Sequence, residues 1–216
     1  MGFEIRVLTL GLAVTNCYIL GDTETGDAIL IDPVDQPELL LKTIADEGWT
    51  LKLMLATHGH FDHVLASKAV KDATGVPFYI HSADLPWLKS LPERGVQFTG
   101  TAFPEAAVPD RLLTDESETI TLGNFRLETL FTPGHAPGHI AYYWPDANLV
   151  FAGDALFKGS IGRTDLPGSD YETLMRSIFK KLVPLGDDVR VLSGHGEPTT
   201  IGHERRTNPF LLDYSA

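Results

Sequence analysis

One cysteine, Cys17, stands among 216 residues. A single thiol closes no intrachain disulfide and builds no cysteine-rich zinc module, so both of those scaffolds are excluded. It lies in an apolar stretch, Ala13 to Leu20, and reads as a small buried hydrophobe. Long hydrophobic runs are missing as well: none reaches the roughly 18 residues of a membrane-crossing helix. Val7 to Leu20 has the apolarity of a signal core, but only Arg6 precedes it, no A-x-A-like exit follows, and glycine and β-branched residues interrupt it. The expected setting is the cytoplasm, with no membrane partner. Cations are scarce, 17 Lys and Arg against 29 Asp and Glu for a net charge of −12, and no basic run is longer than Arg205-Arg206. Such a chain repels polyanions on average, which argues against nucleic acid as a partner while leaving local cationic patches for small anions.

What is present is an ordinary globular composition, 43% hydrophobic and 21% charged, with 20 Gly and 14 Pro giving a loop-rich lean. That length and apolar content bury a sizeable core, and one domain spanning 1–216 is expected. Strand-like runs at Glu4–Leu10, Asn16–Gly21 and Ala28–Asp32, separated by turn residues, predict an antiparallel meander. A helical period follows over Pro37–Glu47, then a buried strand Leu51–Ala56, a helix Asp62–Ala73, a strand Phe78–His81 and a short helix Ala83–Leu88. The Pro/Gly density of Leu91 to Pro109 reads as a long loop, able to line a pocket through Phe98 or Phe103. Strands are then expected at Glu118–Leu122, Phe125–Phe131, Ile140–Trp144, Leu149–Phe151 and Val189–Leu192, with a helix at Tyr171–Leu182. Two successive β-then-α halves predict an α/β architecture of two sheets with helices outside.

The chemistry concentrates in Thr57-His58-Gly59-His60-Phe61-Asp62-His63. Three of the eight histidines and one carboxylate fall within six residues, directly after a predicted buried strand. On an extended exit His58 and His60 point to one side, whereas Asp62 and His63 come off the first turn of the next helix. Four donors in two differently aimed pairs suit two metal ions better than one, where a histidine-rich solvated loop has no reason to crowd the end of a core strand. Further strands end in Thr132-Pro133-Gly134-His135, in Gly153-Asp154 and in Ser193-Gly194-His195-Gly196. Singly each reads as turn chemistry; together they make five histidines and two carboxylates at strand ends.

H-x-H-x-D-H, then P-G-H, G-D and G-H, in this order and spacing across nearly the whole chain, resembles the metallo-β-lactamase superfamily of binuclear hydrolases. The resemblance implies an αββα sandwich and two divalent cations, zinc, iron or manganese. His58, His60 and His135 would hold the first and Asp62, His63 and His195 the second, with Asp154 bridging both. Asp62 and Asp154 would be the catalytic carboxylates. Position 154 is Asp, not the Cys of one zinc β-lactamase group. The first motif is not the H-x-E-x-D of diiron flavoprotein oxygen reductases, and the clasp of nucleic-acid-processing members is absent. The run Gly153 to Asp165, Gly-Asp-Ala-Leu-Phe-Lys-Gly-Ser-Ile-Gly-Arg-Thr-Asp, and the ending Glu204 to Leu211 are similar to type II glyoxalases, most of all their short bacterial branch. Longer members carry a C-terminal helical domain that helps hold glutathione, and aromatic residues where this chain has Thr164-Asp165.

What this implies is hydrolysis of a glutathione thioester, with Arg163 and Lys158 as expected contacts for its carboxylates. A thiolate leaves largely unprotonated, whereas an amide nitrogen needs a proton donor for which no acid is evident. Rival readings are a mononuclear-iron persulfide dioxygenase using His58, His135 and Asp154, a lactone or phosphodiester hydrolase on the same fold, and a non-catalytic metal-binding module. Gly194-His195-Gly196-Glu197-Pro198 resembles the hydrolases better than the dioxygenases. The other histidines have plainer readings: His81 and His139 as structural or as supports for a metal ligand, His203 as surface.

Overall fold

The computed structural model describes residues 2–214. Its contacts cluster into two compact units, Met1–Leu113 with Leu122–Phe125, and Thr114–Thr121 with Arg126–Ala216.

The first unit holds a six-stranded sheet in simple sequence order. Its strands are β1 (Phe3–Leu10), β2 (Thr15–Asp22), β3 (Asp27–Ile31), β4 (Thr50–Leu55), β5 (Phe78–His81) and β6 (Arg111–Leu113). The first three are antiparallel, as the turn chemistry predicts, and β3 through β6 pair in parallel. Parallel strands need crossovers, and α1 (Pro37–Asp46) supplies the one between β3 and β4. β4 begins with alternating exposure and ends fully buried, since its last residues are flanked by strands on both sides. Phe78, Met54, Leu30 and Leu40 are fully buried in this unit's core. Each such side chain contributes roughly 1.5–3 kcal/mol by leaving water. Cys17 is buried as expected, and burial pushes its thiol well above the ordinary range.

Two expectations fail here. The helix read over Asp62–Ala73 is two, α2 (Phe61–Val64) and α3 (Ser67–Thr74). The Ala66 N–H turns aside to the Pro33 carbonyl at 3.0 Å and interrupts the helical ladder. The stretch read as a loop over Leu91 to Pro109 is helical in its first half, where α4 (Leu85–Lys89) is followed by α5 (Leu91–Thr99), and irregular from there to Pro109. Pro92 sits in the first turn of α5, where no amide is needed, and Gly100 closes it at φ 78°. Pro92 and Gly100, two of the residues that suggested a loop, are this helix's start and stop.

The second unit holds the other six-stranded sheet, in the order β14-β13-β10-β9-β8-β7. Its strands are β7 (Thr119–Leu122), β8 (Phe125–Phe131), β9 (Ile140–Trp144), β10 (Leu149–Gly153), β13 (Arg190–Ser193) and β14 (Thr199–Thr200). A separate hairpin pairs β11 (Leu156–Phe157) with β12 (Ser160–Ile161). β10 and β13 run parallel, with a register skip between Phe151 and Gly153. Such a bulge re-aims the residue that follows, here Asp154. Trp144, Tyr142 and Phe151 are fully buried. The helix expected over Tyr171–Leu182 is α6 (Tyr171–Ser177), capped by Asp170, running into a wider-wound turn at Ile178–Leu182. α7 (Ile201–Thr207) and α8 (Pro209–Asp213) complete the described chain. Among the described residues no helix is long and apolar enough to cross a membrane.

Candidate metal centre

The donors follow the carboxyl ends of β4, β8, β10 and β13, and β4, β10 and β13 each have a parallel neighbour, the setting in which open α/β sheets commonly place their ligands. In the first unit β4 delivers Thr57 and His58, and the chain turns through Gly59 into α2. His58 Nε2 and His60 Nδ1 face each other at 3.0 Å. Two nitrogens on one cation at ~2.0–2.1 Å lie roughly 3.3 Å apart, so this spacing fits a shared ion. Asp62 Oδ2 lies 3.6 Å from His63 Nε2. The His58 and His63 rings also lie close, with centroids 4.1 Å apart.

The His58 and His63 rings are each oriented by their other nitrogen. Asp32, buried at the end of β3, accepts the Thr57 amide at 2.7 Å, the Thr57 hydroxyl at 2.8 Å and the His63 Nδ1–H at 2.8 Å. With its proton committed to Asp32, the Thr57 hydroxyl accepts from His58 Nδ1–H at 3.0 Å. This fixes both rings with Nε2 available for ligation. Thr15, also buried, donates its hydroxyl to Asp62 Oδ2 at 2.9 Å. Buried Asp84 accepts the Gly59 amide at 2.8 Å. A Cβ at Gly59 would meet Asp84 and Trp87 atoms at 3.0 Å, so any side chain between the two histidines requires these neighbours to yield.

In the second unit Asp154 stands between two rings. Its Oδ2 is 3.5 Å from His135 Nε2 and 3.4 Å from His195 Nε2. His135 Nδ1–H donates to the Arg163 carbonyl at 2.9 Å, again leaving Nε2 for a metal. His139 is fully buried; its Nε2 accepts the Asp154 amide at 3.0 Å while its Nδ1 faces Thr132 Oγ1 at 2.8 Å. His139 thus fixes the backbone of a donor, while His81 caps the turn Ser82–Asp84 by accepting the Ala83 amide. A Cβ at Gly162 would lie 1.9 Å from the Asp154 carbonyl oxygen, which explains glycine beside this corner.

Within the first unit His58 lies beside His60 and Asp62 beside His63, and within the second Asp154 stands between His135 and His195. The two expected substrate contacts are engaged elsewhere. Arg163 pairs with Asp165 through two bonds of 2.9 and 2.8 Å, and Lys158 pairs with Glu197 at 2.6 Å, all of them exposed. Each partner carboxylate holds its cation's pKa above the ordinary value. Sequence reasoning missed Thr15, Asp32, Thr57 and Asp84. The available signal was a charged or hydroxyl residue at the end of an otherwise apolar strand, which Asp32 and Thr57 both are.

A model of the metallo-β-lactamase superfamily matches residues 10–195, a span that includes every one of these donors. The chain belongs to the metallo-β-lactamase superfamily. It has that superfamily's fold, as expected, and is a metallo-hydrolase of the group. Hydroxyacylglutathione hydrolase GloC of Haemophilus influenzae is 43% identical over 96% of this chain and 98% of its own. Among solved structures, the BLEG-1 B3 metallo-β-lactamase is 40% identical with a TM-score of 0.90, over 96% of this chain and 99% of its own. TTHA1623, solved in a di-iron-bound form, is 42% identical with a TM-score of 0.84, over 95% of this chain and all of its own.

Proposed function

We propose that this superfamily member is a binuclear hydrolase of a glutathione thioester of the S-D-lactoylglutathione type, releasing a hydroxy acid and glutathione. One cation would be held by His58, His60 and His135, the other by Asp62, His63 and His195, with Asp154 shared. The observation that carries the metal reading is the commitment of one nitrogen of His58, His63 and His135 to Thr57, Asp32 and the Arg163 carbonyl, which leaves Nε2 of each for ligation. Histidine and carboxylate donors without cysteine suit zinc, iron or manganese. When bound, such ions supply hydroxide at neutral pH and polarise a carbonyl.

The protein's own part is orientation. Thr15 holds Asp62 through Oδ2, which fixes the carboxylate that would direct the attacking oxygen. His139 holds Asp154 by its amide, so the shared carboxylate keeps its aim. The thioester choice is chemical: a thiol of pKa about 8.5 departs as thiolate without a proton donor. The glyoxalase-like run Gly153–Asp165 and the name of the 43% identical relative support it.

The test is thiol release from S-D-lactoylglutathione, with metal counted on the same sample and a β-lactam run beside it, since one similar structure bears a lactamase name. About two metals per chain and turnover abolished in Asp154→Ala are expected. Full metal loading without thiol release overturns the reading. About one iron per chain, with oxygen consumed on glutathione persulfide, replaces it with the dioxygenase.

A further inference from the structure

Near the first metal-donor loop stands a cation with which, among the described residues, no acidic group pairs. Arg94, in α5, stacks its guanidinium on the Trp87 ring at 3.6 Å and donates Nε–H to Ser90 Oγ at 3.1 Å. Trp87 is buried and meets the His60 ring edge-on, with centroids 4.8 Å apart. These two steps place the guanidinium within about 8.4 Å of the His60 ring. Among the described residues no carboxylate pairs with Arg94, in a chain with 29 acids to 17 bases. Arg6, Arg163, Arg205 and Arg206 each have an acidic partner. Arg94 is half-buried, and its desolvation lowers the guanidinium pKa with no acid opposing it. A guanidinium so placed loses hydration without ionic compensation, as an anion-binding group does before its ligand arrives. Nε is used by Ser90, and the Nη groups remain for a planar carboxylate.

We propose that Arg94 binds the glycine carboxylate of a glutathione thioester whose carbonyl reacts at the metal-donor loop. The span fits. From a thioester carbonyl through the cysteinyl side chain to the glycine carboxylate is roughly two residues of extended chain, about 7 Å. Arg163 and Lys158, already satisfied on the surface, are thereby replaced as the principal anion contact. The identity of the thioester rests on the hydrolase reading, whereas the anion site rests on the geometry around Trp87.

Calorimetry with S-methylglutathione, a thioether that cannot be hydrolysed, and with its glycine-amide counterpart tests this on the metal-loaded protein. Arg94→Met keeps an unbranched stem over Trp87 and removes the charge; Arg94→Lys keeps the charge and loses the fork. Arg94→Met should weaken the thioether about ten- to hundredfold and the amide at least tenfold less, with Arg94→Lys between wild type and Arg94→Met. Equal weakening of both ligands, weakening of neither, or a wild type that binds the two alike or not at all overturns the assignment. A wild type that binds the carboxylate form selectively yet releases no thiol from the thioester overturns the thioesterase reading and leaves Arg94 as an anion site.

Discussion

Asp32 carries a disproportionate share of this protein's order at the scale of single residues. It is buried, adopts φ 54°, and accepts three hydrogen bonds, two from Thr57 and one from His63. A left-handed conformation costs most residues, yet Asn and Asp tolerate it, so Asp32→Asn preserves the backbone while removing charge and one acceptor. Asp32→Ala strands the buried Thr57 amide as well, at a cost of about 1–3 kcal/mol for that group. In a metal titration Asp32→Asn should bind the cation associated with His63 about 10–100-fold more weakly, with the other site less affected. Asp32→Ala should show the same loss together with a lower urea midpoint. Two equally weakened sites in Asp32→Asn would mean that Asp32 supports the loop as a whole and not the His63 ring.

The lesson at the scale of elements concerns glycine and proline. Gly95 lies inside α5, where alanine is ordinarily better by ~1 kcal/mol on helix propensity. A Cβ there would fall 2.1 Å from the Phe103 backbone nitrogen and 2.6 Å from the Thr101 carbonyl oxygen, neither of which is a flexible side-chain end. Overpacking of about 1–3 kcal/mol outweighs the propensity gain, so Gly95→Ala should lower the urea midpoint; a raised midpoint would show that the Thr99–Phe103 turn yields freely. The same segment shows why the sequence was misread. Pro92 and Gly100 are boundary signals, but a count of prolines and glycines cannot tell a boundary from a loop. α7 and α8 went unread for a related reason. Their hold is tertiary: Glu204, fully buried, accepts the Gly159 amide at 2.8 Å and Asn208 Nδ2 at 2.9 Å, and Asn208 caps α8 while bonding the Ser160 carbonyl at 3.0 Å. Asn208→Ala removes the cap and strands buried partners, and should cost about 2 kcal/mol in a denaturant titration with unchanged slope. By contrast, the meander, β4 and the strands ending at His135 and Asp154 were legible because hydrophobic alternation and strand-end polarity are local. Asp32 and Asp84 were not, since their partners lie 25 residues away in sequence.

Metal and acid act on the whole molecule. Ions that bind only the folded chain stabilise it in proportion to their affinity, so chelation should lower the melting temperature, and readdition of zinc, iron or manganese should restore it. Acid sensitivity is best followed on the chelated protein, where protonation of the donors no longer releases metal. Burial pushes Asp22 upward, but the Glu24 and Thr25 backbone amides and the Asn124 side chain together outweigh it and hold the carboxyl below its ordinary value. Lys71, at 2.6 Å, does the same for half-exposed Asp110, helped by the Phe78 amide. A folded pKa below the unfolded one means that, between the two, the unfolded chain binds more protons, so stability rises with pH there. The contribution is complete above the unfolded value of about 3.9 and is lost as pH falls through the folded one. These carboxylates should therefore leave the urea midpoint flat from pH 8 to 5 and draw it down below about pH 4. Asp22→Asn should be less stable than wild type at pH 7 and converge with it in that acid range, because only the wild type has this contribution to lose. Parallel pH profiles for the two proteins would place the acid response in other carboxylates and remove Asp22 from the account.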